Sequence, residues 1–286
     1  MLSKMAKYGI EPLVNMNPRN WARKNGLVRL LNPVVSWLEG RRLAGICDYQ
    51  VDVVPPEVVI RFDGRQISLP SSHAHFLSLA RSKHERPTTV VFLKYLQPGE
   101  IVWDIGANAG FYSSIASKLV GAEGQVFSFE PNPQNFQLLA ENIALLMLPN
   151  CKPLRLAIAD YEGEAQMEKA DRLSEESSLI LGENPVPENA ITVSVTFGDA
   201  LVRKRESPTP DFIKVDVEGY ELEVLRGMTT VLASPRCRKL FCEVHFALLA
   251  KRGLTDAVKE MRGLLRKSGF SQLRWVSRSH LLALKQ

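Results

Sequence analysis

Residues 211 to 221 read Asp-Phe-Ile-Lys-Val-Asp-Val-Glu-Gly-Tyr-Glu, and the run carries charge where charge is costly. The stretch Phe212 to Val217 is expected to be a central strand, and a strand covered on both faces is normally apolar almost throughout. Lys214 and Asp216 are two residues apart, so a strand sets them on one face. Buried charges must be paired or bound to something. Glu243 and His245 repeat the spacing at the end of the next expected strand, Leu240 to His245. If the two strands are neighbours, Asp216, Glu218, Glu243 and His245 converge at one edge of a cleft. Such a cluster can remove a proton, with His245 as the base because an imidazole pKa of about 6.5 suits proton uptake at neutral pH. Glu243 or Asp216 would then orient the ring. It can equally hold a divalent cation on Asp216, Glu218 and Glu243, magnesium fitting oxygen ligands better than zinc. For Lys214 the structural alternative is an ion pair to Asp216 or Glu243.

A second group of residues could hold a cofactor. Asp104-Ile105-Gly106-Ala107-Asn108-Ala109-Gly110 closes one expected strand, Ile101 to Ile105, and opens a helix. Gly106 and Gly110 let the backbone turn tightly and let a ligand approach it. A dinucleotide loop would carry a glycine where Asn108 stands. Asp104 at the strand end suits an ammonium group better than a phosphate, and S-adenosylmethionine carries such an ammonium. Glu130 ends the following strand, where a carboxylate can accept both hydroxyls of a ribose. Asp160, past a third strand, could reach the exocyclic amine of an adenine, or serve as a turn residue before Glu162-Gly163.

The elements that must position these residues alternate. Val58 to Phe62 and Gln66 to Leu69 flank Asp63-Gly64, a hairpin signal. After Ile101 to Ile105 a helix carries Phe111, Ile115 and Leu119 and stops at Gly121; Val126 to Phe129 is the next strand, and a helix from Pro131 and Pro133 buries Phe136, Leu139, Ile143 and Leu146. Lys152 to Ala159 is a third strand. Residues 161 to 200 break the rhythm as an inserted hairpin with an exposed loop. It returns with Phe212 to Val217, a helix from Tyr220 to Leu232, Leu240 to His245, a helix from Thr255 to Lys267, and two strands within Phe270 to Leu284. This predicts an α/β fold: a Rossmann-like, mostly parallel doubly wound sheet closed by an antiparallel strand pair.

The chain has 286 residues, 45% of them apolar, and a formal charge of +5. Eight basic and two acidic residues fall within 1–42, leaving the remainder at minus one. A body without positive charge has little electrostatic affinity for a phosphate backbone, which argues against nucleic acid as a partner. We divide the chain into a basic amphipathic N-terminal arm (1–45), a small N-terminal β/helical region (46–92) and a cofactor-binding domain (93–286). In the arm, Leu27, Leu31, Val34 and Leu38 share a helical spacing among arginines, compatible with packing on the domain, on a partner or on an anionic membrane surface. No run reaches the ~20 apolar residues of a membrane span, so a cytoplasmic protein, at most peripheral at a membrane, is expected. The four cysteines lack metal-ligand spacing and read as buried reduced thiols.

Taken together, three segments resemble the FkbM-type methyltransferases, which act on hydroxyls of sugars and polyketides. They are Val102 to Ser113, Phe129 to Pro133 with Asn142 downstream, and Ile213 to Glu221 through Leu225 and Gly227, with Ala157 to Asp160 between. The resemblance runs from about Leu93 to His245. It implies a class I methyltransferase using S-adenosyl-L-methionine for O-methylation of a sugar, glycolipid or polyketide-type small molecule. By the same resemblance Asp104, Gly106, Asn108, Gly110 and Glu130 hold the cofactor with Asp160 near the adenine, and Asp216, Glu218, Glu243 and His245 face the methyl group and the acceptor. One departure stands out: the family's Thr-Leu-Asp step reads Phe197-Gly198-Asp199 here, which bears on the local substrate pocket. The rival readings are an RNA ribose methyltransferase, a nicotinamide-dependent oxidoreductase, against which Asn108 speaks, and a non-catalytic cofactor-binding scaffold.

Overall fold

The computed structural model describes residues 50–54, 57–62, 64–70, 76, 79–80, 82, 85–167, 179–180 and 190–286. All belong to one unit, Tyr49–Gln286. The N-terminal arm, its amphipathic pattern and the turn-rich loop from 182 to 187 lie outside the described residues.

Seven strands form the central sheet. In chain order they are β4 (Ile101–Ile105), β5 (Gln125–Phe129), β6 (Cys151–Leu154), β11 (Phe212–Val215), β12 (Lys239–Glu243), β13 (Gln272–Trp275) and β14 (His280–Leu284), and across the sheet they run β13-β14-β12-β11-β4-β5-β6. β4, β5, β6, β11 and β12 are parallel; β14 lies antiparallel to β12 and to β13. The expected doubly wound sheet with a closing antiparallel pair is therefore the observed one. Strand order reverses between β4 and β11, and such a reversal opens a crevice beyond the carboxyl ends of the strands.

The two faces are buried by different helices. Val102, Val126, Phe212 and Phe241 pack with residues of α1 (Arg86–Tyr95), α2 (Phe111–Val120) and α3 (Pro133–Leu145). Trp103, Ile105, Ile213, Val215 and Cys242 pack with α5 (Glu221–Arg226), α6 (Thr229–Ala233) and α8 (Ala257–Lys267). Adjacent strand residues thus go to opposite cores, the period-two alternation of a sheet covered on both sides. A three-stranded sheet, β1 (Gln50–Val54), β2 (Glu57–Phe62) and β3 (Arg65–Pro70), contains the expected hairpin. Its Ile60, Ile67 and Leu69 join the same core as Phe92, Phe111 and Phe212, so residue 92 is not a boundary between separate cores.

Three expected elements are corrected. The single strand Lys152 to Ala159 is two: β6 stays in the main sheet, while β7 (Ala157–Ala159) pairs with β10 (Ile191–Phe197) in a second sheet that also holds β8 (Gly163–Met167) and β9 (Leu179–Ile180). The helix Tyr220 to Leu232 is broken into α5 and α6 at Gly227, where the backbone presses on β7: a Cβ there would lie 1.7 Å from the Ala159 carbonyl oxygen. β12 ends at Glu243, and His245 instead begins α7 (Phe246–Lys251), so Glu243 and His245 do not share a strand face. α4 (Gly198–Arg203) follows β10.

Cys151, Cys237 and Cys242 are buried and free, while Cys47 is outside the described residues. No helix among the described residues is long and apolar enough to cross a membrane.

Candidate functional site

The buried charges of β11 are answered across the sheet. Register pairs Lys214 with Asp104 on β4, and Asp104 with Ser128 on β5, in one row beneath α2. Lys214 Nζ donates to the Gly106 carbonyl at 2.9 Å and lies 3.2 Å from Asp104 Oδ1 and 3.4 Å from Asp216 Oδ2. Ser113 Oγ donates to Asp104 Oδ2 at 2.6 Å, and Ser128 Oγ donates to Ser113 Oγ. Burial opposes the lysine's charge, but the carboxylates of Asp104 and Asp216 outweigh it and hold the ammonium above its ordinary pKa. The lysine partners are thus Asp104 and Asp216 rather than Glu243. Asp104 is fully buried in this network, and the acid at the cleft surface here is Asp216. The Asp104 carboxylate, expected to meet a ligand ammonium, thus faces a cation of the protein and lies buried beneath the cleft.

The glycine loop lies over that row. Gly106 has a φ of +79°, and a Cβ there would sit 1.8 Å from the Asp216 carbonyl oxygen, so no larger residue fits without a backbone shift. Gly110, at φ +89°, begins α2 against Leu139. Asn108 is also left-handed, at φ +49°, a conformation asparagine tolerates better than most residues. Its amide donates to Glu130 Oε2 at 2.8 Å, and the Asn132 amide donates to Glu130 Oε1 at 2.9 Å. Burial pushes the Glu130 carboxyl up to about 7 against the downward pull of those two amides. Asn142 Nδ2 steadies the loop by donating to the Ala109 carbonyl.

Two cavities meet at Gly106 and Glu130. The larger, of about 320 Å³, runs from the glycine loop past Tyr112 and Lys214 to Asp216, Glu218, Glu243 and His245. The smaller, of about 50 Å³, is an apolar slot between Phe129, Pro131, Ile158 and Met167, closed by Val217 and Tyr220. Asp160 is exposed just past the end of β7 and lies outside the lining of both cavities.

At the acidic end, Glu218 and Gly219 are both left-handed, with φ of +48° and +91°. Such a backbone is strained for glutamate and is maintained only where the surroundings fix it. Here Arg252 does so, donating to the Gly219 carbonyl while its guanidinium lies 3.8 Å from the centre of the Tyr220 ring. His245 Nδ1–H donates to Glu221 Oε1 at 2.7 Å, and its Nε2 lies 3.2 Å from Glu218 Oε2 and 3.8 Å from Asp216 Oδ1. Glu221 is fully buried, and the same oxygen accepts the Gly219 amide. Burial lowers the imidazole pKa, but the hydrogen bonds to Glu218 and Glu221 and the charge of Asp216 outweigh it and lift it to about 11.

The carboxylates around His245 favour its protonated form, which weighs against the expected neutral general base for as long as Nε2 keeps its proton. Glu243 is corrected too: it lines the cleft but pairs with His280 Nε2 at 3.1 Å and accepts from Ser279, and the residue that orients His245 is Glu221. The four expected acid and histidine residues therefore share one cavity, but only Asp216, Glu218 and His245 form a mutual cluster. Sequence reasoning gave no role to Glu221, whose spacing of three from Glu218 at a helix start was the available signal. Glu85 and Tyr112, also on the cleft wall, were missed; the Tyr112 hydroxyl donates to Glu85 Oε2 at 2.5 Å. Asp199 stands apart from the cleft. Its carboxylate accepts the amides of Thr230 and Val231 and so caps α6.

The family model of the methyltransferase FkbM domain matches residues 104–271. Hexuronic acid methyltransferase AglP of Haloferax volcanii is 34% identical over 151 residues, 52% of this chain and 59% of that protein. The 31-O-demethyl-FK506 methyltransferase FkbM of Streptomyces tacrolimicus is 26% identical over 203 residues, 62% of this chain and 74% of that protein. Among solved structures, methyltransferase FkbM of Methylobacillus flagellatus KT is 16% identical with a TM-score of 0.45, covering 74% of this chain and 58% of that one. The chain thus spans less than two thirds of the length of the Haloferax and Methylobacillus proteins.

Proposed function

Because this chain belongs to the methyltransferase FkbM domain family, we propose that it moves the methyl group of S-adenosylmethionine to a hydroxyl of a sugar, glycolipid or polyketide-type small molecule. The carrying observation is that an apolar slot and an acid-lined cleft join at Glu130 beside an open glycine loop. The cofactor is amphipathic in the same sense. Its flat base suits the slot between Phe129, Pro131, Ile158 and Met167, and its ribose diol suits the Glu130 carboxyl, which the loop amides hold in position. The sulfonium end then lies toward carboxylates, which favour a cation.

Methyl transfer from sulfur is an in-line displacement: the acceptor oxygen forms a bond to the methyl carbon as the carbon–sulfur bond breaks, and the sulfonium becomes a neutral thioether. Most of the catalysis is positioning. The acceptor proton must also leave; the neighbouring carboxylates favour the protonated form of His245, and Asp216 and Glu218 beside it offer carboxylates to receive that proton. The acceptor class is supported by the relatives named above, one a hexuronic acid methyltransferase and the other a 31-O-demethyl-FK506 methyltransferase.

Two measurements test this reading. Calorimetry with S-adenosylhomocysteine should show binding that Glu130→Ala abolishes, and methyl-labelled cofactor should label a uronic acid or polyol acceptor. Absence of binding to the wild-type chain, or unchanged affinity in Glu130→Ala, refutes the cofactor assignment.

A further inference from the structure

We propose that Asp216, Glu218 and His245 Nε2 form a site for a divalent cation of the magnesium or manganese type, with the buried Glu221 as the positioning residue that aims the imidazole at it. This rests on the reading of the cleft as the methyl-transfer site and supplies its missing activating group.

One ligand atom from each of the three side chains lies within 4.8 Å of the others. Cis ligands on a cation with bonds of about 2.1 Å are about 3.0 Å apart. The separations of 3.2 Å and 3.8 Å from Nε2 to the two carboxylate oxygens need only a small contraction to meet that geometry. Independently, the second nitrogen of the ring is committed. Nδ1–H donates to Glu221, itself fully buried and anchored by the Gly219 amide, so Nε2 is the nitrogen that faces the carboxylates, where a bound cation would take the place of its proton. A carboxylate behind a histidine in this way is the common support of a metal-binding imidazole. The other oxygen of Glu221, Oε2, has no hydrogen-bond partner, so a fully buried carboxylate is spent on aiming this one ring and bracing its loop.

The cluster borders the larger cavity, and its side chains keep 18% to 29% of their surface exposed. A cation held by three protein atoms therefore has open positions toward the cleft for water and for the acceptor. Two carboxylates and one imidazole, with water completing the shell, favour magnesium or manganese over the closed tetrahedral sites of zinc. An acceptor hydroxyl taking one open position would lose its proton to bulk water more readily. The resulting oxygen then bonds to the methyl carbon while the carbon–sulfur electron pair returns to sulfur. The cation is unchanged and no oxidant is required.

The test uses the full chain after EDTA dialysis, titrated with Mn²⁺ and followed by calorimetry and by the electron paramagnetic resonance signal of free Mn²⁺. Saturable uptake of one ion is expected, with Mg²⁺ competing for it. Glu218→Gln should weaken uptake at least ~10-fold, and Glu221→Gln, which touches no metal ligand other than the histidine, should weaken it ~10-fold to ~100-fold. Mn²⁺ remaining free in the presence of wild-type protein, or binding equally to the Glu218→Gln chain, overturns the site. S-adenosylhomocysteine binding to the metal-free wild-type chain is measured in parallel, so failure of the cofactor assignment is seen separately from failure of the metal site.

Discussion

Replacing Lys214 by methionine tests whether the charge row beneath α2 holds up the floor of the cleft. The substitution keeps the length and most of the volume of the side chain but leaves Asp104, fully buried, without its cation. At an effective dielectric of about 20, two charges 3.2 Å apart attract by about 5 kcal/mol. That agrees with the ~3–5 kcal/mol lost when one partner of a buried pair is removed. Asp216 contributes less, because it is partly exposed and water screens it. Urea unfolding should therefore show a loss of ~3–5 kcal/mol, and for a unit of this size the melting temperature should fall by about 10 °C. Adding Asp104→Asn removes the stranded charge while keeping an oxygen for Ser113, so the double variant should recover at least half of the loss. A loss below about 1 kcal/mol in Lys214→Met, or no recovery in the double variant, would refute the assignment of the pair as the support of the floor.

Two further perturbations separate structure from chemistry. Burial holds the folded-state pKa of Glu130 at about 7, above an unfolded value of about 4.3. Its contribution to stability is therefore fully present below about pH 4 and is lost as pH rises through about 7, in all about 4 kcal/mol. Glu130→Gln cannot titrate, so the stability advantage of wild type over this variant should shrink between roughly pH 4 and pH 7; urea midpoints showing a constant difference would exclude the shift. Asp199→Ala removes the cap on α6 and should cost about 1–2 kcal/mol in urea unfolding, with S-adenosylhomocysteine affinity unchanged. A variant of full stability with weakened cofactor binding would instead put Asp199 in the pocket.

The departure at Phe197-Gly198-Asp199 illustrates how a local reading can mislead about function. As a change in a motif it suggested an altered substrate pocket. In the fold, the acid caps a helix on the face of the sheet that carries α5 and α8, and Gly198 admits the close approach of Met228 and Trp103, where a Cβ would come within 2.8 Å and 3.1 Å.

By itself the sequence determined the class of the main sheet and most of its alternating strands and helices. Alternating strands and helices, the glycines at 106 and 110 and the charges embedded in Phe212 to Val217 depend on short-range spacing and on the cost of burying charge, and both are properties of a few neighbouring residues. The same spacing located the cleft, because motifs at strand ends come together wherever the strand order reverses. Only the tertiary structure decided which charge meets which. Lys214 faces Asp104 through sheet register, Glu243 meets His280 through the antiparallel return of β14, and His245 turns from its expected strand face to Glu221 because β12 ends two residues early. These partners are 24 to 110 residues apart in the chain. The raised pKa values of His245 and Glu130 then follow from the carboxylates and the burial that long-range packing brings, not from the type of the residue.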